Sequence, residues 1–186
     1  MIWFSRSSLA TVVCASVLVP SSGEAQRRPD LSGTWVLVEA LATGPGRDTP
    51  EGSAAAAPRR ITATTGFGAF RCGRQCRIIH KGQTFTIKDA ELPDYTGKDK
   101  SQPTPAVTLR LDGRPREVQD SFAPSRQLPV TAHWDGNKVR IESRTADSVI
   151  ASTQWLSLDD GQLVVVIATT LNGVARGEAT FKYRKK

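Results

Sequence analysis

From residue 31 onward the chain alternates apolar and polar positions in short runs, the period-two signature of strands with one dry and one wet face. Helical spacing is not sustained anywhere. The C-terminal third is the most legible: Val130, Ala132 and Trp134 alternate with Thr131 and His133, then Asp135-Gly136-Asn137 turns the chain into residues 139–141. Runs at 148–156, 163–169 and 178–184 follow, divided by Asp159-Asp160-Gly161 and Asn172-Gly173. Asp-Gly and Asn-Gly tolerate the left-handed backbone angles of tight hairpin turns, so these runs predict a meander of neighbouring antiparallel strands.

The earlier part reads the same way with longer interruptions. Residues 31–39 predict a first strand with Trp35 and Leu37 on one side and Val36 and Val38 on the other; both sides are apolar, so the strand is expected to be covered on both. Residues 40–58 predict a long loop, either a loose connection or a lid over a cavity mouth. A second strand is expected at 59–65, a break at Gly66-Phe67-Gly68, and a hairpin pairing 77–80 with 84–88 across Lys81-Gly82. A second long loop is expected at 89–105, strands at 107–111 and 114–120, and irregular chain at 121–129. The expectation is an all-β, antiparallel up-and-down meander of about eight to ten strands, closed into a barrel or folded as a β-sandwich. Closure is favoured because the Val-rich run 163–167 would be an aggregation hazard on an open edge.

Composition then sets the compartment. The chain has 186 residues, 39% hydrophobic, with 3 Cys and a net charge of +7. Residues 1–25 carry Arg6, an uncharged apolar stretch at 9–20 and a small-residue end at Gly23-Glu24-Ala25, the layout of a secretory signal peptide cleaved after Ala25. The apolar stretch is shorter than the roughly 20 residues a membrane span needs. Removing it takes away Arg6 and Glu24 together, so the charge is unchanged. A single β domain at 26–186 is expected, exported to the periplasm or the extracellular space, with no nucleic acid as partner.

Loss of Cys14 leaves Cys72 and Cys76, which in an oxidising compartment are most simply a disulfide. Two alternatives stand beside it: His80 on the face of Cys76 as a metal ligand, for which the only other histidine is His133, and a redox motif, for which the spacing carries one residue too many. Arg59, Arg60, Arg71, Arg74, Arg77 and Lys81 cluster in sequence, either as a solvated face or as a basic rim that attracts a carboxylate, a phosphate or an anionic surface. No nucleophile elbow, zinc-protease helix or phosphate loop occurs, so no catalytic residue, cofactor or metal is assigned. Paired carboxylates brought together by folding leave a hydrolase as a third reading.

Gly33-Thr34-Trp35 opening an antiparallel meander resembles the Gly-x-Trp signature of lipocalins and their calycin relatives. Ser32-Gly33-Thr34-Trp35 with the Trp134-Asp135-Gly136 turn is similar to small exported bacterial lipocalin-like proteins. The resemblance implies a barrel whose closed end is plugged by Trp35, with a late basic residue, Arg184, across the indole. It also implies that the loop after the first strand is a lid at the open end. The lipocalin Thr-Asp-Tyr motif is absent; Asp94-Tyr95-Thr96 holds its letters in another order. If the barrel encloses a cavity, Trp134 and Trp155 are expected to line it, holding a small apolar or amphipathic, potentially anionic, molecule. The alternative is a packed barrel that acts as a non-catalytic interaction protein.

Overall fold

The structure, a computed structural model, describes residues 28–43, 59–60, 72–89, 106–119, 126–145 and 147–186. The expected signal segment, Gly66-Phe67-Gly68, Arg71 and most of the two expected long loops lie outside the described residues. Eleven strands occur among the described residues: β1 Gly33–Thr43, β2 Arg59–Arg60, β3 Gln75–Lys81, β4 Thr84–Asp89, β5 Ala106–Arg110, β6 Arg116–Gln119, β7 Gln127–Asp135, β8 Lys138–Arg144, β9 Ile150–Asp159, β10 Gln162–Leu171 and β11 Val174–Lys185. There is no helix among them.

Every ladder is antiparallel, and the sheet order is β5-β4-β3-β1-β11-β10-β9-β8-β7-β6. The first and last long strands are neighbours, which rolls the meander into a nearly closed up-and-down barrel of ten strands. Leu41 and Ala42 pair with β11 along one edge and with β2 along the other, so β2 continues the line of β3. The seam lies between β5 and β6. It is crossed by the link between those strands: Asp112 bridges to His133, and the Gly113 N–H donates to the Ala132 carbonyl at 2.9 Å. The Arg116 guanidinium also meets the Asp112 carboxylate at 2.7 Å. These contacts occupy hydrogen-bonding edges that an open meander would expose.

The turns follow the sequence closely. Asp160-Gly161 and Asn172-Gly173 both have two successive residues at positive φ, the backbone that matches the twist of a two-residue hairpin. Several boundaries differ from expectation. β1 begins at Gly33 and runs through Thr43, so residues 40–43 belong to the strand rather than a loop, and Leu31 lies before it. β7 starts at Gln127, because 127–129 pair with β6 instead of forming irregular chain.

The outer side of β1 is not covered: register slips between Leu37 and Glu39, and Val38 at the bulge is 52% exposed. A barrel wall has one dry side, so the double apolar alternation at 35–38 reports the bulge and not a second layer.

The two ends of the barrel differ. At one, the β3–β4, β7–β8 and β9–β10 connections are two-residue turns, and β1 starts and β11 stops there. At the other, the chain leaves β1 and β4 for its long connections. We refer to these as the short-turn end and the long-loop end.

Candidate functional site

The short-turn end is packed by the segment before β1. Leu31 is buried, and the Trp35 indole N–H donates to its carbonyl at 3.0 Å. Ser32 and His80 exchange hydrogen bonds, the His80 N–H to the Ser32 hydroxyl at 3.0 Å and that hydroxyl to the His80 carbonyl. Asp30 accepts from the Ser32 N–H at 2.9 Å. Hydrogen bonds from the Ser32 side chain and backbone hold the Asp30 carboxyl below the usual aspartate range, with His80 and Lys185 adding to the effect.

Lys185, not Arg184, lies across the Trp35 ring, with its ammonium 5.7 Å from the ring centroid. The cause is register. Trp35 faces Lys185 across the β1–β11 ladder, while Arg184 pairs with Val36 on the outer face and is exposed. Gly33 sits at φ 149°, a backbone that L side chains rarely adopt, and a Cβ there would meet the flexible end of Lys185 at 2.6 Å.

Trp134 shares its face with buried Val130 and Ala132 and packs against the core beside His80, ring centroids 5.5 Å apart, with the Arg28 guanidinium 5.6 Å from its ring centroid. It therefore helps close the short-turn end. Trp155 is on the outside. Gln154 and Leu156 are its buried neighbours in β9, so alternation turns Trp155 to the outer face, where the Arg140 guanidinium covers it at 5.9 Å and Glu142 accepts from Arg140 at 2.6 Å. The expectation that Trp155 lines the interior does not hold.

Cys72 and Cys76 form the disulfide, both cysteines fully buried, with Cα atoms 4.9 Å apart. The Tyr183 hydroxyl donates to the Cys72 carbonyl at 3.0 Å, tying this turn to β11. Bonded to each other, the two sulfurs are not available to ligate a metal alongside His80. The described basic residues of β3 do not lie at one level. Arg74 and Lys81 flank β3 at opposite ends, about 23 Å apart at the usual rise per residue, and Arg77 lies on its outer face. Arg59 and Arg60 pair with the far end of β1, and Arg71 lies outside the described residues.

Cross-strand partners in an antiparallel ladder point to the same face, so the inner surface can be followed row by row. Nearest the short-turn end come Leu37, Tyr183, Leu163 and Leu158, then Ala40, Phe181, Val165, Leu156, Val139 and Trp134. The third row is Ala42, Ala179, Ile167, Gln154, Ile141 and Ala132. The fourth is Gly177, Thr169, Ser152, Ser143, Val130 and Arg116. Side-chain bulk falls and polarity rises toward the long-loop end. Ser143, Ser152 and Gln154 are buried there, at 1%, 2% and 0% exposure.

None of Ser143, Ser152 and Gln154 was singled out by composition or motif. The signal was available in the alternation: Ser143 continues Val139 and Ile141, and Ser152 and Gln154 precede Leu156, polar residues standing at apolar positions of strands that were otherwise read correctly.

No family model matches the chain, and no curated protein matches it. Solved structures do, with 59 matching chains. One is a mutant of the fluorescent protein UnaG, 18% identical, covering 83% of this chain and 95% of its own, with a TM-score of 0.50. Another is human cRBP IV, 13% identical, covering 85% of this chain and 99% of its own, with a TM-score of 0.47. The fold is a nearly closed antiparallel up-and-down β-barrel. At such identity the likeness speaks to the fold alone. The barrel has a bulky interior at its short-turn end and small, partly polar side chains at its long-loop end.

Proposed function

We propose that this calycin-type barrel is a non-catalytic binding protein that holds a small apolar or amphipathic molecule in the long-loop half of its interior, and that it works outside the cytoplasm after loss of residues 1–25. One observation carries the reading: the inner rows pass from Tyr183, Phe181 and Leu163 to Ala42, Ala179, Gly177, Ser143 and Ser152. Interiors pack to near-crystalline density, so a barrel with no guest is expected to fill every level with bulk. A barrel that tapers to small residues at one end is suited to finish its packing there with a ligand. The buried disulfide fits an oxidising compartment, where such bonds persist. No helix among the described residues is long and apolar enough to cross a membrane.

The test is native mass spectrometry of the purified full chain, followed by titration with a neutral lipophilic fluorophore. A co-purified small molecule, or saturable binding with one site per chain, is expected. If neither is seen, the reading fails, and the packed interaction protein takes its place.

A further inference from the structure

We propose that Ser143 and Ser152 form a hydrogen-bonding subsite for an uncharged polar group, a hydroxyl or a carboxamide, at the end of an otherwise apolar ligand; this rests on the interior-binding reading above. The two serines are direct partners across the β8–β9 ladder, both face inward, and both are almost wholly buried. Neither hydroxyl has a hydrogen-bond partner among the described residues. A third buried hydroxyl close by shows the ordinary state of affairs: Thr145 donates to Asp147 and accepts from the Ile150 N–H at 3.0 Å. Native proteins rarely bury a hydroxyl without a partner, because the water it gave up is not replaced. Two such groups, side by side at one level of an interior, are accounted for when a guest supplies the missing partners.

The surroundings define the rest of the guest. Val130 and Ile141 flank Ser143 on the inner face, and Ile167 lies one row below beside Gln154, so the neighbouring wall suits a hydrocarbon body. The polar end is uncharged for a reason of pairing. Neither serine has a cation as a direct ladder partner: they pair with each other, Ser143 also with Val130 and Ser152 also with Thr169. Lys185 lies over Trp35 at the other end of the barrel, and Arg116, in the same row, is ion-paired with Asp112. A carboxylate set against two hydroxyls alone would lose its hydration without gaining a counter-charge. A serine hydroxyl both donates and accepts, and so do a hydroxyl and a carboxamide, which makes the pair complementary to either.

The full chain is loaded with the neutral fluorophore N-phenyl-1-naphthylamine and challenged with competitors that share one alkyl chain and end in methyl, hydroxyl, carboxamide or carboxylate. Hydroxyl and carboxamide competitors are expected to displace the probe at about tenfold lower concentration than the methyl one. In the Ser143→Ala, Ser152→Ala double variant that advantage shrinks to about twofold or less while the methyl competitor is unaffected. The variant removes two unpartnered buried hydroxyls, so its melting temperature is expected to equal or exceed that of the parent, which separates a lost subsite from a lost fold.

The proposal is overturned if the head groups do not differ, if the preference survives the double substitution, or if the carboxylate binds tightest and Arg116→Gln abolishes it. Probe binding without head-group preference removes the subsite alone. Absence of probe binding removes the interior-binding reading, and the subsite with it.

Discussion

The two halves of the barrel interior are built to different rules. At the short-turn end, Trp35, Leu31 and Tyr183 are fully buried, and the polar atoms of Trp35 and Tyr183 each reach a backbone carbonyl, of Leu31 and of Cys72. At the long-loop end most of the inner side chains are small, and the hydroxyls of Ser143 and Ser152 reach no partner among the described residues. The first arrangement is what a stabilising core requires, bulk together with satisfied polar groups. The second is what such a core avoids. One sheet supports both because ten strands supply closure, and the load of packing can be concentrated at one level.

The largest expected effect comes from breaking the packed half. Trp35→Ala removes a fully buried indole and the partner of the Leu31 carbonyl, and should destabilise by about 3–5 kcal/mol in chemical denaturation. Next is the disulfide: replacing Cys72 and Cys76 together by alanine releases a short ring and should lower stability by about 2 kcal/mol on the chain-entropy account, measured the same way.

A smaller effect sharpens the assignment of the basic residue at Trp35. Lys185→Met should cost about 0.5–1 kcal/mol through loss of the cation over the ring, whereas Arg184→Ala should stay within about 0.5 kcal/mol of the parent. The reverse order would place the outer-face arginine on the indole.

The smallest effect is a pH dependence. The Asp30 carboxyl titrates below its unfolded value, so its contribution is present above that value and is lost as pH falls through the lower, folded one. Stability measured from pH 6 downward should therefore fall less steeply below about pH 4 in Asp30→Asn than in the parent. Identical slopes would remove Asp30 from the account.

Much of this architecture was written into the alternation. The hairpins after β9 and β10 were legible from Asp-Gly and Asn-Gly, and the Cys72–Cys76 bond from the spacing of two cysteines. What could not be read was register between distant strands. Whether Arg184 or Lys185 meets Trp35 depends on how β11 slides against β1, and a shift of one residue exchanges the faces. The bulge at Val38 adds a slip that no alternation pattern carries.

Trp155 misleads for a related reason. Its size favours the interior, but the positions that alternate with Leu156 are Gln154 and Ser152, and the polar letters there hid the buried face. Arg74 and Lys81 lie apart because nearness in sequence along a strand becomes distance along the barrel axis. The same blindness hid Ser143 and Ser152, which lie on different strands and meet only through the β8–β9 ladder.

The division of the interior is tested most directly by titrating a neutral lipophilic fluorophore into the parent, into Ala179→Phe at the long-loop half, and into Lys185→Met at the short-turn half. Saturable binding to the parent and to Lys185→Met, with loss of binding in a folded Ala179→Phe, is the predicted result. Binding that persists in Ala179→Phe but disappears in Lys185→Met would contradict it.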